Sequence, residues 1–505
     1  MKRYLLFLLA HALLPLSGWA ALSFAPIFND GAVLQCQMKC NLWGVAAPGA
    51  RVDITVDGAA AASTTADAAG AWQAVLDPRE PGGPHGIEVK SGTESAKLAD
   101  VWFGEVWIAS GQSNMKWALD KTAGGPEALL RTEPGIRFVI VPRRTHSQKP
   151  PTLRDLQWSS FAPATSANFS AVAFHFADRL QTETGRKVGI VQSAVGGTPA
   201  QAWTPLAALE AAPELSHYAE EARKAASSPP AAQTTAEPDE PDAPGDNTSN
   251  ADGARQAKRE DQREAARLPA VLFDNMIRPI IPYTARGVIW YQGEANAIAP
   301  EEYRVLFPAM ITAWRSAWNL PDWPFLFVQL AAFNETRNQG WPDLRAAQSF
   351  TRDSLPHTGM VLAIDCGAKG NIHPPDKKTV GDRLALLALN QVYGKDLLAR
   401  SPKANRIERV DGKWRIHFDH VGTGLKSSDG QPDVPAFEVA GADKVFHKAR
   451  ATISAKDTVD ISCDAVTEPS AVRYAWSGWI EPPVTLQNSA SLPAEPFMIQ
   501  TSAGR

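Results

Sequence analysis

The sequence predicts an α/β protein in which a parallel central sheet between helices is flanked by N- and C-terminal β modules. Between about residues 101 and 400, apolar strand-like runs alternate with segments of helical period, a pattern typical of a parallel sheet covered by helices. Before and after this region, short strand-like runs are separated by Gly, Pro and Asp turns, as in small β domains. At 505 residues, the chain is long enough for two or three folding units.

The N-terminus has the pattern of a secretory signal peptide over residues 1–20. A basic start, Met1-Lys2-Arg3, precedes an apolar run over 4–16, and the small residues around Ala20 predict cleavage after that position. The apolar run is too short to cross a bilayer comfortably, and no later segment approaches the length of a membrane span. We therefore expect a secreted or periplasmic protein with no membrane span.

Charge and cysteine content narrow the expected partners. The net charge of −4 leaves no basic surface typical of nucleic-acid binding, so we expect no nucleic-acid partner. In an oxidising compartment, four cysteines permit two disulfides in three connectivities; these are Cys36, Cys40, Cys366 and Cys463. Their spacing matches no zinc motif, so we expect neither a metal nor another cofactor. Nothing in the sequence indicates an oligomeric state.

Residues 21–100 are predicted to form a small β-sandwich-like domain. Strand candidates lie at Ala32-Val33-Leu34, at 52–56 and at Ile87-Glu88-Val89, and turn residues separate them. We expect this domain to support the larger α/β unit that follows it, although a freestanding sandwich that binds carbohydrate is the alternative.

The first functional candidate follows the apolar strand that begins at Val101. This strand ends at the turn Ser110-Gly111, and Ser113 comes two residues after the glycine. Open α/β sheets bind ligands at the carboxyl ends of their strands, so Ser113 is placed as a nucleophile with its own N–H group beside it. The alternative is that Ser110 and Ser113 are ordinary turn and helix-capping serines.

Two further strands end in residues suited to binding an oxyanion. The strand at 188–191 leads into Gly196-Gly197, whose N–H groups can approach an anion closely. The strand at 287–291 leads into Gln292 and Asn296, whose amides can donate to an oxyanion or can instead bond to the loop backbone. The apolar segment 324–333 predicts another central strand.

Residues 224–268 differ from their surroundings. The segment is rich in Pro, Ala and charged residues and has few large apolar side chains, so it can bury little surface. We interpret it as a flexible insertion within the catalytic domain of residues 101–400, with a role in recognition as the less favoured alternative.

A histidine late in the catalytic domain is the candidate base. A predicted strand over 361–365 is followed by a loop carrying Asn371 and His373, and a predicted helix spans 377–389. One histidine among ten is more often structural than catalytic, but this one lies on a loop before a helix, late in the domain, and an imidazole can act as a general base.

Residues 401–505 predict a C-terminal β module. Strand candidates lie at 413–418, 436–439 and 472–476. We expect this module to close onto the catalytic domain near the cleft.

Four sequence blocks resemble the sialate O-acetylesterase family, which belongs to the SGNH-type hydrolases. These are GQSNM at 111–115 after VWFGEVW, the Gly196-Gly197 segment, WYQGE at 290–294 and NIHPPDKKTVGDRLA at 371–385. The resemblance implies an SGNH-hydrolase-like three-layer sandwich. It also implies a secreted, metal-independent carbohydrate O-acetylesterase that forms an acetyl-enzyme intermediate and acts on sialic acid or on acetylated xylan.

The resemblance also implies roles for particular residues. Ser113 is the nucleophile and His373 its base, and the oxyanion hole contains the N–H groups of Ser113 and Gly197 with the amide of Gln292 or Asn296. We further expect contacts with the acetylated carbohydrate substrate from four side chains, namely Gln112, Asn114, Glu294 and Trp203.

The sequence departs from the family pattern just before the histidine. Asn371 occupies the place where the family tends to have an aspartate. His373 is therefore oriented by Asn371, by Asp365 or by a backbone carbonyl, or it works with Ser113 as a dyad. This departure also leaves an alternative function: a carbohydrate-binding protein on the same scaffold with weakened catalysis.

Overall fold

The computed structural model describes residues 21–145, 156–227, 259–334, 340–410, 413–466 and 468–500. The predicted signal peptide at 1–20 and residues 228–258 of the predicted insertion lie outside the described residues.

The N-terminal module is formed by eight strands. One antiparallel sheet has the order β1-β3-β6, and a second contains β5, β4, β7 and the first half of β8, against which β2 runs parallel. The strands are β1 (Ser23–Phe24), β2 (Val33–Gln35), β3 (Cys40–Val45), β4 (Arg51–Val56), β5 (Ala59–Thr65), β6 (Ala71–Leu76), β7 (Gly82–Ser91) and β8 (Glu94–Gly111).

Strand β8 is shared between the N-terminal module and the catalytic domain. It is 18 residues long, pairs with β7 as far as Phe103 and pairs with a catalytic-domain strand from Glu105 onward. The expected boundary at residue 100 therefore falls inside a continuous strand, and no linker separates the two units there.

The catalytic domain is built on a mostly parallel sheet of seven strands. Their order is β10-β9-β11-β8-β12-β13-β14, and only the edge strand β10 runs antiparallel to its neighbour. The added strands are β9 (Glu133–Ile140), β10 (Ser159–Phe161), β11 (Val188–Ala194), β12 (Gly287–Tyr291), β13 (Phe325–Val328) and β14 (Thr358–Val361).

Helices cover both faces of this sheet. Side chains alternate along β8, so that Val106 and Ile108 enter one apolar layer while Trp107 and Ala109 enter the other. Helices α3 and α8 pack in the layer with Trp107, and α6 and α7 pack in the layer with Val106. The helices are α1 (Ser113–Lys116), α2 (Gly125–Ala128), α3 (Ala171–Thr184), α4 (Leu206–Ala211), α5 (Ser216–Ser227), α6 (Pro300–Trp318), α7 (Trp341–Ser354) and α8 (Lys378–Gln391).

One predicted strand is shorter than expected and another lies earlier in the chain. The strand expected over 324–333 ends at Val328, and in place of the strand expected over 361–365 the structure has β14 at Thr358–Val361. Beyond Val328, the backbone carbonyls of Leu330 and Ala331 accept hydrogen bonds from the buried Arg345 guanidinium at 2.9 Å each. A side chain on α7 thus replaces the neighbouring strand as hydrogen-bond partner, and the apolar sequence continues as buried loop.

The C-terminal module consists of two four-stranded antiparallel sheets and a two-stranded ladder. It contacts the catalytic domain where Arg345 donates to the Ser477 carbonyl at 2.7 Å and where Lys369, on the loop before His373, pairs with Glu481 at 2.7 Å. Its strands are β15 (Lys403–Val410), β16 (Lys413–Asp419), β17 (Lys426–Ser427), β18 (Phe437–Ala440), β19 (Phe446–Lys448), β20 (Arg450–Ala455), β21 (Thr458–Ser462), β22 (Ala471–Tyr474), β23 (Leu486–Gln487) and β24 (Phe497–Gln500).

The four cysteines, all within the described residues, are free thiols rather than disulfides. Cys36 donates from its sulfur to the Glu105 carboxylate at 3.3 Å, and the Cys40 sulfur donates to the Gln35 carbonyl at 2.9 Å. Burial raises the pKa of both thiols to about 12, which keeps them protonated and unreactive. In the described part of the chain, none of the helices has the length and apolar character needed to cross a bilayer.

Candidate active site

Three of the segments that carry candidate site residues directly follow strands, and these three segments lie together at the carboxyl edge of the central sheet. Gly111 at the end of β8 is in register with Ala194 of β11 and with Tyr291 of β12. The Gln112 N–H donates to the Tyr291 carbonyl at 3.0 Å, and the Val195 N–H donates to the Gly111 carbonyl at 3.1 Å. Ser113, the Gly196-Gly197 turn and the loop after Tyr291 are therefore gathered around one point, as expected for parallel strands.

Gly111 allows the chain to turn sharply from β8 into helix α1. Its φ is +135°, and a Cβ there would lie 2.2 Å from the Tyr291 carbonyl oxygen. Only glycine fits between two strands held so closely. As a result, Ser113 becomes the first residue of α1, where its backbone N–H has no carbonyl of the preceding turn to bind, and its side chain is 9% exposed.

His373 lies directly against Trp117, the residue that follows the helix beginning with Ser113. Its imidazole stacks on the Trp117 indole, with ring centroids 4.1 Å apart and planes inclined by 19°. The backbone beside it is attached to the same helix, because Asn114 Nδ2 donates to the Ile372 carbonyl at 3.0 Å. The residue after Ser113 thus bonds to the residue before His373, which brings the two predicted catalytic residues into one site.

The two candidates for orienting His373 have other bonds. The Asp365 carboxylate receives two hydrogen bonds from the Arg383 guanidinium, at 2.6 and 2.7 Å. The Asn371 side-chain oxygen accepts the backbone N–H of His373 at 2.9 Å, so it shapes the loop at the histidine.

The two candidate oxyanion amides differ in what their nitrogen atoms bind. Gln292 Nε2 donates to the Thr198 carbonyl at 3.3 Å and to Asn296 Oδ1 at 2.7 Å, which uses both of its N–H bonds. Asn296 Nδ2 donates to Gln201 Oε1 at 3.0 Å, which leaves its second N–H without a protein acceptor among the described residues. Of the two, the Asn296 amide is the one with a donor to offer.

Gly197 forms the turn opposite this loop. Its φ is +71°, and a Cβ there would meet no atom within 4 Å, so the turn borders open space. The Gly197 carbonyl accepts a hydrogen bond from the exposed Arg267 guanidinium.

The four residues expected to contact substrate are all buried. Trp203 is fully buried and packs edge to face against Trp290, with centroids 6.0 Å apart, so the expectation that its ring binds a sugar is wrong. Gln112, Asn114 and Glu294 are 3%, 1% and 8% exposed. Asn114 donates to Glu294, and Gln112 Oε1 accepts the Ala295 N–H at 3.3 Å, so these bonds connect the Ser113 segment to the loop after β12.

Two residues of the site escaped the sequence analysis, Trp117 and Lys377. The Lys377 side chain is 1% exposed and donates from Nζ to Asn114 Oδ1. Burial lowers the pKa of Lys377 to about 7, although the charge of Glu294 acts in the opposite direction. Lys377 was visible as the lysine of the NIHPPDKK block, and Trp117 as an aromatic residue one helical turn after Ser113.

Metal ligands are not gathered in the part of the chain that the structure describes. No group of three or more His, Cys, Asp or Glu side chains lies together there in a way that would hold a metal ion.

Comparisons with known proteins show which proteins this chain is similar to. Residues 104–232 and 262–390 match the family described as carbohydrate esterase, sialic acid-specific acetylesterase. The sialate O-acetylesterase of Homo sapiens is 28% identical over 548 residues, covering 96% of this chain and 95% of that protein. That of Mus musculus is 28% identical over 539 residues, covering 95% and 94%. The solved structure of a carbohydrate acetylesterase from Xanthomonas citri has a TM-score of 0.79 and 34% identity, covering 95% of this chain and 99% of that one.

Proposed function

Since the chain belongs to the carbohydrate esterase family of sialic acid-specific acetylesterases, we propose that it deacetylates sugars with Ser113 as nucleophile and His373 as base. As a family member it is a carboxylic ester hydrolase. The observation that carries the proposed roles is the placement of the His373 imidazole against the ring of Trp117, the residue directly after α1, the helix that begins with Ser113. The SGNH-type arrangement expected from the sequence agrees with these roles.

In the first half of the reaction, Ser113 Oγ attacks the acetyl carbonyl carbon while His373 accepts the hydroxyl proton. The carbonyl oxygen becomes an oxyanion, which is stabilised by the N–H groups of Ser113 and Gly197 and by the free N–H of Asn296. The bond between the acetyl carbon and the sugar oxygen then breaks. His373 gives its proton to that oxygen, so the deacetylated sugar leaves and an acetyl-enzyme remains.

In the second half, water replaces the sugar. His373 accepts a proton from a water molecule while the water oxygen attacks the carbonyl carbon of the acetyl-enzyme. The same donors stabilise the second oxyanion. When the bond to Ser113 Oγ breaks, His373 returns the proton to that oxygen. Acetate is released and the enzyme is restored. No cofactor takes part in this scheme. The enzyme meets its substrate in the periplasm or outside the cell, in keeping with the signal peptide pattern of residues 1–20.

Acetate release tests the proposal. The wild type and Ser113→Ala are incubated in parallel with O-acetylated sialic acid and with acetylated xylan oligosaccharides. We expect acetate from at least one substrate with the wild type and a loss of about 10³-fold or more in Ser113→Ala. The substrate that releases acetate identifies the sugar. A folded wild type that releases no acetate from either would contradict the proposal and favour a carbohydrate-binding role.

A further inference from the structure

A hydrogen-bonded series of buried polar side chains links the segments that carry the two proposed catalytic residues. The side chain of Asn114 is at its centre. Its two N–H bonds are donated to Glu294 Oε1 at 2.5 Å and to the Ile372 carbonyl at 3.0 Å, and its oxygen accepts from Lys377 Nζ. We call the three linked side chains the Lys377-Asn114-Glu294 series. Each of these residues is at least nine-tenths buried.

The Lys377-Asn114-Glu294 series joins the three segments that carry the site. Asn114 follows Ser113 on α1, Glu294 lies on the loop after β12, and Lys377 lies between His373 and α8. Asn114 can bind the Glu294 carboxylate and the Ile372 carbonyl together only when both of its N–H bonds point at them. The Lys377 side chain stabilises this orientation, because it donates from Nζ to the amide oxygen of Asn114.

Glu294 and Lys377 carry opposite charges on the two sides of the Asn114 amide. Burial raises the pKa of Glu294 and lowers that of Lys377, and each is partly offset by the opposite charge of the other. Glu294 Oε2 has no hydrogen-bond partner within the described protein, so the Asn114 bond is the main support of this carboxylate. Burying these two charged groups costs free energy, and apolar residues would fill the same space at a lower cost. A contribution to stability alone therefore does not explain the arrangement.

We propose that Lys377 is a positioning residue that fixes the Ser113 helix against the His373 loop by orienting Asn114. This inference rests on the proposed roles of Ser113 and His373. Lys377 touches neither the substrate nor the reacting atoms, so it acts on the rate through the distance and angle between nucleophile and base, to which acyl transfer is steeply sensitive.

Replacing Lys377 by methionine tests the proposal. Methionine keeps an unbranched side chain of similar length but removes the charge and the donor. With p-nitrophenyl acetate, we expect Lys377→Met to lower kcat by about 10²-fold with KM little changed. The matched control is Lys378→Met, which removes the neighbouring exposed lysine and its pair with Asp382 at 2.5 Å; its kcat should equal that of the wild type.

A double variant separates positioning from charge balance. Glu294→Gln with Lys377→Met removes both buried charges together, and it also serves if Lys377→Met alone does not fold. We expect the folded double variant to remain slow, because Asn114 still lacks the donor that orients it. A wild-type kcat in either folded variant would overturn the proposal.

Hydrogen exchange of the backbone over 366–376 gives a readout that does not depend on catalysis. We expect faster exchange in Lys377→Met, or in the double variant in its place, and unchanged exchange in Lys378→Met. Unchanged exchange in the variant that lacks the Lys377 amine would overturn the inference. If the wild type deacetylates no substrate, the proposed function fails while exchange still reports on Lys377.

Discussion

Amide side chains in this site differ in function according to which of their atoms are already bonded. The Asn114 amide uses both N–H bonds and its oxygen within the protein, and Gln292 uses both of its N–H bonds. Asn296 has one N–H without an acceptor among the described residues, while its oxygen accepts from the Ala200 N–H at 2.8 Å. Residue type alone therefore did not show which amide still has a donor to offer, and the hydrogen-bond partners did.

Asn296→Asp is expected to lower kcat by about 10²- to 10³-fold, because it removes the amide donors and places a carboxylate near the developing oxyanion. The variant keeps the side-chain oxygen that accepts from Ala200 and Gln292, so the loop should persist. Steady-state kinetics with p-nitrophenyl acetate measure the effect.

Asn405→Asp, which changes an exposed amide on β15 of the C-terminal module, is the control and should match the wild type. If folded Asn296→Asp retained the wild-type kcat, the oxyanion donor would have to lie elsewhere.

At the scale of elements, helix α8 explains the spacing of the histidine block. Lys377 just before it orients Asn114, and Arg383, six residues further along the chain, binds Asp365. Between them, Gly381 lets α8 approach α3, since a Cβ there would lie 2.6 Å from the His175 Cβ. The spacing of the block therefore reflects one helix that contacts the site at its start and its neighbouring helix along its side.

The α3–α8 contact should make the protein sensitive to acid through His175. This side chain is 6% exposed, and burial lowers its pKa from 6.5 to about 4. Between these values the unfolded chain binds a proton that the folded protein does not, so the free energy of unfolding falls as the pH falls from 6.5 to 4. The contribution of His175 over this range is roughly 3 kcal/mol.

Urea unfolding at pH 7 and at pH 4 measures this contribution. His175→Leu, which has no titrating group, should lose less stability on acidification than the wild type. His447→Leu, at a less buried position on β19, should lose as much as the wild type. Equal losses in His175→Leu and the wild type would show that His175 is not the cause.

At the scale of the whole molecule, β8 joins the N-terminal module to the catalytic domain through one buried carboxylate. Glu105 is 0% exposed and accepts from Gln35 of the module at 3.0 Å. It also accepts from three catalytic-domain side chains, namely Arg186 at 2.6 Å, Arg286 at 3.0 Å and Tyr393 at 2.9 Å. The two units therefore share both a strand and a charged cluster, and we expect them to unfold together.

Glu105→Gln is expected to lower the free energy of unfolding by about 3 kcal/mol, because it leaves two arginines without their counter-charge. It should leave kcat unchanged, since Glu105 lies about 20 Å along β8 from the end that leads into Ser113. Urea unfolding and p-nitrophenyl acetate kinetics on the folded variant measure the two effects.

Glu88→Gln, which alters a surface carboxylate of β7 paired with Lys90 at 3.3 Å, is the control. An unfolding midpoint of Glu105→Gln equal to that of this control would mean that the cluster does not join the units.

The sequence by itself determined the α/β class and most of the central strands. It also located the segments that carry Ser113, Gly197, Asn296 and His373, since periodicity, turn residues and short motifs are local properties of a chain. The strands over 188–191 and 287–291 were predicted where β11 and β12 occur.

Only the tertiary structure decided which of these side chains are exposed to a ligand and which are bonded beneath it. Trp203 and Asn114 were expected at the substrate, yet both are buried, and Lys377 became part of the site because distant segments converge on Asn114. The physical reason is that burial and hydrogen-bond partners depend on residues far apart in the chain. Local pattern sets where an element forms, and the packing of elements sets what its side chains contact.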